Sequence, residues 1–144
     1  MLREALVVVC GMFLVANALA APDCAIEPCR ATVRDLVEQP ESFQGRRVRV
    51  EGVLNLRFEV HGIRHGELHL SLDLFRPPDP ETGDWDAKKV EEDWARIEQW
   101  QRAGLQDRWV EVIGVFDAEE TGHFGMMKHG GLRDIEAIVP TGAP

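Results

Sequence analysis

From Arg47 to Val60 apolar and polar residues alternate with a period of two. Val48, Val50, Gly52 and Leu54 share one face with Leu56, Phe58 and Val60, while Arg47, Arg49, Glu51 and Val53 share the other. Only an extended strand gives side chains this period. The run is long for one flat strand, because strands usually hold about five or six residues. Gly52, near its middle, marks a bulge or bend where the strand can curl. A long strand bent at a glycine points to a curved or closed sheet.

Two further strands have the same signature. Leu68, Leu70, Leu72 and Leu74 alternate with Glu67, His69, Ser71 and Asp73, which predicts one apolar and one polar face. Val110, Val112, Gly114 and Phe116 alternate with Trp109, Glu111, Ile113 and Val115. Leu132 to Val139 reads as the closing strand. Between the first two lies His61-Gly62-Ile63-Arg64-His65-Gly66, read as a turn region with room for one short strand. Two helices complete the pattern. Thr32 is a cap with Asp35 three residues later, and Val33, Leu36 and Val37 form the apolar stripe behind it. Pro40 ends this helix, and Glu41 to Gly45 make a turn. The second helix spans about Asp86 to Ala103, capped by Asp84 or Asp86. Val90, Trp94, Ile97 and Gln101 mark one face; Glu91, Glu92, Asp93 and Glu98 belong to a solvated one. Arg76 to Gly83, with three prolines, is a loop.

This order predicts a mainly β chain with some α. The expected form is a small five-stranded Greek-key barrel of the oligonucleotide/oligosaccharide-binding (OB) kind, with a helix between its third and fourth strands and a short N-terminal helix. The alternative is a helix-flanked antiparallel sheet that does not close. Leu36, Pro40, Phe43, Gly45, Val48, Val50 and Gly52 follow the pattern Leu-x3-Pro-x2-aromatic-x-Gly, then Val-x-Val-x-Gly, and Gly122-His123-Phe124-Gly125 supplies a later Gly-His-x-Gly. In these motifs the segment from about Thr32 to Val139 resembles a group of small uncharacterised bacterial exported proteins. The resemblance supports the barrel and implies no activity.

Export is also expected from the beginning of the chain. Arg3 precedes an apolar run from Ala5 to Ala16, followed by Ala18-Leu19-Ala20, the form of a secretory signal peptide cleaved after Ala20. The run is shorter than the about twenty apolar residues of a transmembrane helix, so cleavage is favoured over a retained anchor. The expected divisions are a signal peptide at 1–20, an N-terminal segment at 21–31, the barrel domain at 32–140 and a tail at 141–144. The expected location is the periplasm or the exterior. There Cys24 and Cys29, the two cysteines beyond the signal, are expected to pair as a structural disulfide, with a metal clip or a redox pair as the alternatives.

The formal net charge is −9, which argues against nucleic acid unless Arg46, Arg47 and Arg49, with Arg57 and Arg64, form a basic patch. The most unusual stretch is Gly122 to Gly131. Glycines around a histidine allow tight turns and close approach to a partner, so His123, Phe124, Gly125, Met126 and His129 are candidate binding residues. Trp100 joins them as a candidate interface residue, with Trp85 and Trp94 nearby in sequence. Soft donors in the same loop, His123, Met126, Met127 and His129, raise the alternative of copper or zinc binding. His61, His65 and His69 recur every fourth residue, and His65 and His69 could meet across a hairpin. Catalysis has little support: neither serine sits in a nucleophile motif, no phosphate-cradling loop or dinucleotide fingerprint occurs, and a Glu59–His123 acid–base pair has nothing to bring it together. The expected function is therefore a non-enzymatic binding module without a cofactor. Its partner would be an envelope protein or small ligand; metal binding and nucleic-acid binding are the alternatives.

Overall fold

The computed structural model describes residues 24–57, 60–75, 86–122 and 128–143. Six strands and three helices follow in the order β1 (Cys29–Thr32), α1 (Val33–Glu38), α2 (Pro40–Phe43), β2 (Arg47–Arg57), β3 (Val60–His65), β4 (Leu68–Leu72), α3 (Ala87–Arg102), β5 (Trp109–Asp117) and β6 (Gly131–Pro140). The chain is mainly β. All six strands belong to one mixed sheet, and their pairings form a ring: β2–β3–β4–β6–β5 and back to β2.

β2 makes the ring possible. Its first half pairs antiparallel with β5, from Arg47 opposite Val115 to Val53 opposite Trp109. Its second half pairs antiparallel with β3, from Val53 opposite Arg64 to Arg57 opposite Val60. The transfer occurs beside Gly52, where a Cβ would stand 2.7 Å from the Arg64 carbonyl oxygen and 2.8 Å from Ile63 Cγ1. Glycine thus lets β3 approach at the point where β2 exchanges neighbours. The alternation is as expected: Val48, Val50, Leu54 and Leu56 are wholly buried. They pack with Leu36, Phe43, Ile63, Leu70, Val112, Phe116 and Leu132 in one core.

Several expectations change. The sheet has six strands, because β1 lies parallel to β2, with Cys29 opposite Val48 and Thr32 opposite Glu51. The segment before Thr32 therefore contributes to the sheet. Cys24 and Cys29 form a disulfide, and Arg46 donates to the Cys24 carbonyl oxygen at 2.7 Å, holding the loop that the disulfide closes. Thr32 caps α1 with a full capping box to Asp35. Pro40 does more than end that helix: it opens α2, where a missing N–H costs nothing at the first position. α2 then brings Phe43 into the core.

The supposed turn region at His61 to Gly66 is mostly strand, and Val60 belongs to it rather than to β2. β3 is held by β2 on one side and by β4 on the other. Ser71, assigned to a polar face, is wholly buried. Asp93 is buried too rather than solvated, paired with Lys89 at 2.7 Å. The arginines that could have formed a basic patch face acids instead: Arg46 faces Glu27, Arg47 faces Glu136, Arg49 faces Glu111 and Arg57 faces Asp107. His65 lies opposite Leu68 and His69 opposite Arg64, so successive strand positions send the two histidines to opposite faces. No helix among the described residues is long and apolar enough to cross a membrane.

Candidate functional site

The chain changes course where β4 ends. Leu74 N–H donates to the Leu72 carbonyl oxygen at 2.9 Å, a three-residue turn centred on Asp73. The Asp73 backbone still joins the sheet, donating to Leu132 O at 2.8 Å. Beyond it Phe75 rests on Trp94 of α3, ring centres 5.0 Å apart. Asp73 therefore stands at a rim bounded by α3, the start of β6 and the end of β5.

β6 is irregular beside this rim. Ala137 faces Ile113 but Arg133 faces Val115, so β6 spends two extra residues on that span. Such a bulge bends a strand and re-aims its side chains. Asp134 lies in it with φ +49°, a left-handed conformation that Asp tolerates better than most residues. Arg96 of α3 donates to the Ile135 carbonyl oxygen at 2.9 Å and so fastens the helix to the bulge. Between them opens a cleft of about 260 Å³ lined by Asp73, Leu74, Lys89, Asp93, Arg96, Asp134 and Ile135. Three carboxylates and two cations meet there. Lys89 and Asp93 pair within it, and Asp86 caps α3 by accepting from Lys89 N–H at 3.1 Å.

On the other side of Asp73 is a smaller cleft of about 20 Å³, enough for roughly one water. His61, Leu72, Asp73, Phe75, Glu120 and Gly122 line it. Glu120 also accepts from Gly122 N–H at 2.8 Å, tightening the exit from β5. The return to the sheet passes through Gly130 and Gly131, packed against β5 and β4. A Cβ on Gly130 would stand 2.8 Å from Asp117 O, and one on Gly131 2.6 Å from Ser71 O. This close approach buries Ser71 and explains the two adjacent glycines.

Of the residues singled out in the sequence, His123, Phe124, Gly125, Met126 and Met127 lie outside the described residues, as do Glu59 and Trp85. His129 is exposed, one residue before Gly130. Trp100 is half-buried towards the other end of α3, with the Arg96 guanidinium 5.1 Å from its ring centre. His65 meets the edge of Trp109 at 5.2 Å. Among the described residues no three His, Cys, Asp or Glu side chains converge as metal ligands. The sequence reading missed Asp73, Asp93 and Asp134. One signal was available: buried Leu132, Ile135 and Ile138 recur every third residue, which no regular strand does. Comparison with known proteins finds no matching family model, no matching curated protein and no matching solved structure.

Proposed function

We propose that this protein is an exported, non-enzymatic binding module of the bacterial cell envelope. It takes an envelope partner or small ligand at the rim around Asp73. The observation that carries the reading is the meeting of two clefts at Asp73, one of them lined by ionised groups of both signs. Fixed charges of both signs orient a polar partner and discriminate between partners more than they add raw affinity.

The ring supports an OB-like barrel beneath this site. Starting at Asn55, the register runs through Gly62, Ser71 and Gly131 to Asp117. Asp117 stands two residues past the Val115–Arg47 pair, so the circuit rejoins β2 at the level of position 45, ten residues before its start. Closing a sheet requires a stagger of this kind. β1 is then an added edge strand, and α3 sits between the third and fourth strands of the ring. The apolar N-terminal run and the Cys24–Cys29 disulfide both favour an oxidising compartment.

Native mass spectrometry of the protein recovered from its host's envelope tests this reading. The expected spectrum shows a chain starting at Ala21, two hydrogens lighter than its reduced form, with a bound mass that Asp134→Asn or Arg96→Gln removes. A protein that carries nothing, or a bound mass that neither variant disturbs, overturns the assignment of the site.

A further inference from the structure

The larger cleft at the rim holds two opposite charges that do not meet. Arg96 of α3 donates through Nη2 to the Ile135 carbonyl oxygen at 2.9 Å, and its guanidinium lies 5.1 Å from the Trp100 ring centre. These contacts orient the group beside β6, and neither brings a negative charge to it. Among the described residues Arg96 has no ion pair. Asp134 is the residue before Ile135. The bulge and its φ of +49° set where its side chain points, in place of regular strand alternation. Among the described residues its carboxylate has neither an ion pair nor a hydrogen bond.

The other charges of the cleft have partners. Lys89 and Asp93 bond at 2.7 Å, and Asp73 is engaged as well. Leu74 and Ile135 supply apolar wall. The cleft therefore presents one unmatched cation and one unmatched anion, close in space because Arg96 is bonded to the residue that follows Asp134. A simple cation answers Asp134 but is repelled by Arg96, and a simple anion meets the reverse. A molecule that bears both charges answers both. The cleft's volume of about 260 Å³ lies just below the roughly 300–1,000 Å³ of sites for drug-sized ligands, which suits a smaller molecule.

We propose that this cleft binds a small zwitterion, an α-amino acid with a short side chain. Its carboxylate lies on Arg96, its ammonium on Asp134, and its side chain against Leu74 and Ile135. The inference rests on the reading of the rim as a binding site and names the ligand of that site. The bond to Ile135 uses one N–H of Nη2, which leaves one two-donor edge of the guanidinium fork for a carboxylate. The ammonium donates to Asp134 in a second charge-assisted bond. Arg96 is already oriented by Ile135 and Trp100 before the ligand arrives, so less side-chain freedom is lost on binding.

Amide NMR titration of the purified protein tests this, with glycine, L-alanine and L-valine as probes. Methylammonium and acetate, at equal ionic strength, serve as the two half-ligands. Saturable shifts at the Leu74, Asp134 and Ile135 amides are expected for at least one of the amino acids. Each half-ligand binds at least about tenfold more weakly, as expected when one hydrogen bond to a charged group is lost. Arg96→Gln and Asp134→Asn each weaken amino-acid binding by at least about the same factor, while amides far from the cleft keep their positions. Half-ligands that bind as well as the amino acids overturn the proposal, as does amino-acid binding that neither variant moves. The absence of any shift overturns it too. In that case a bound mass in the native spectrum that Arg96→Gln removes keeps the rim as a site for another ligand, whereas no bound mass refutes both readings.

Discussion

Gly52 gives the most direct test of why the strands close into a ring. A methyl group added there stands 2.7 Å from the Arg64 carbonyl oxygen and 2.8 Å from Ile63 Cγ1. Ordinary contact begins at about 3.4 Å, so β3 must retreat by several tenths of an ångström from the strand it pairs with. Ile63 could turn, but the Arg64 carbonyl belongs to the backbone at the first β2–β3 pair, Val53 opposite Arg64. Overpacking of this kind costs about 1–3 kcal/mol. Replacing glycine returns about 0.4–1 kcal/mol by restricting the unfolded chain. Gly52→Ala should therefore destabilise by about 1–2 kcal/mol, roughly a ten- to thirtyfold loss in the folding equilibrium at the upper half of that range. Gly142→Ala, with nothing within 4 Å, is the matched control and should stay within about 0.5 kcal/mol of the parent. Urea unfolding followed by tryptophan fluorescence reads both variants. Equal midpoints for the two would refute the idea that close approach at Gly52 sets the ring.

Two other outcomes follow from the same structure. Cys24→Ser opens a six-residue loop and should lower stability by about 2 kcal/mol in the chain-entropy model, seen as a lower urea midpoint that matches the parent under reductant. The hydrogen bond from Arg47, and then its charge, hold the Glu136 carboxyl below its ordinary value. Stability from this pair is complete above the ordinary carboxyl range and is lost as pH falls through the depressed value. Glu136→Gln should flatten the acid side of the urea-midpoint profile below about pH 4.5; an unchanged profile refutes the linkage.

Much of the ring was legible because its strands carry their own period. Val48 to Leu56 and Val110 to Phe116 announce which face is buried, and Gly52 announces the bend. The motif Leu36, Pro40, Phe43 reads in the structure as a packing device: Leu36 and Phe43 are wholly buried on two successive short helices, and Pro40 starts the second. β1 was hidden because it is four residues long and is specified by its parallel partner. β3 was hidden because buried Gly62 and Ile63 are adjacent rather than alternate, so pairing on both sides makes it a strand where its own pattern does not. The site was the least legible part. Asp73, Asp93 and Asp134 come from three distant segments and look like ordinary surface residues until a turn, a helix and a bulge bring them to one rim.

The narrowest pairing in the ring has a dynamic consequence. Among the described residues β4 and β6 meet through just Ser71–Gly131 and Leu72–Leu132, while β5 and β2 are joined over seven residue pairs. Structures open first where the fewest interactions must break together. This seam is therefore the ring's natural latch, and the amides of Ser71 and Asp73, bonded to Gly130 O and Leu132 O, are the ones that report its release. Because Asp73 borders both clefts, each opening of the latch would reshape the rim, coupling the breathing of the sheet to what the protein can hold.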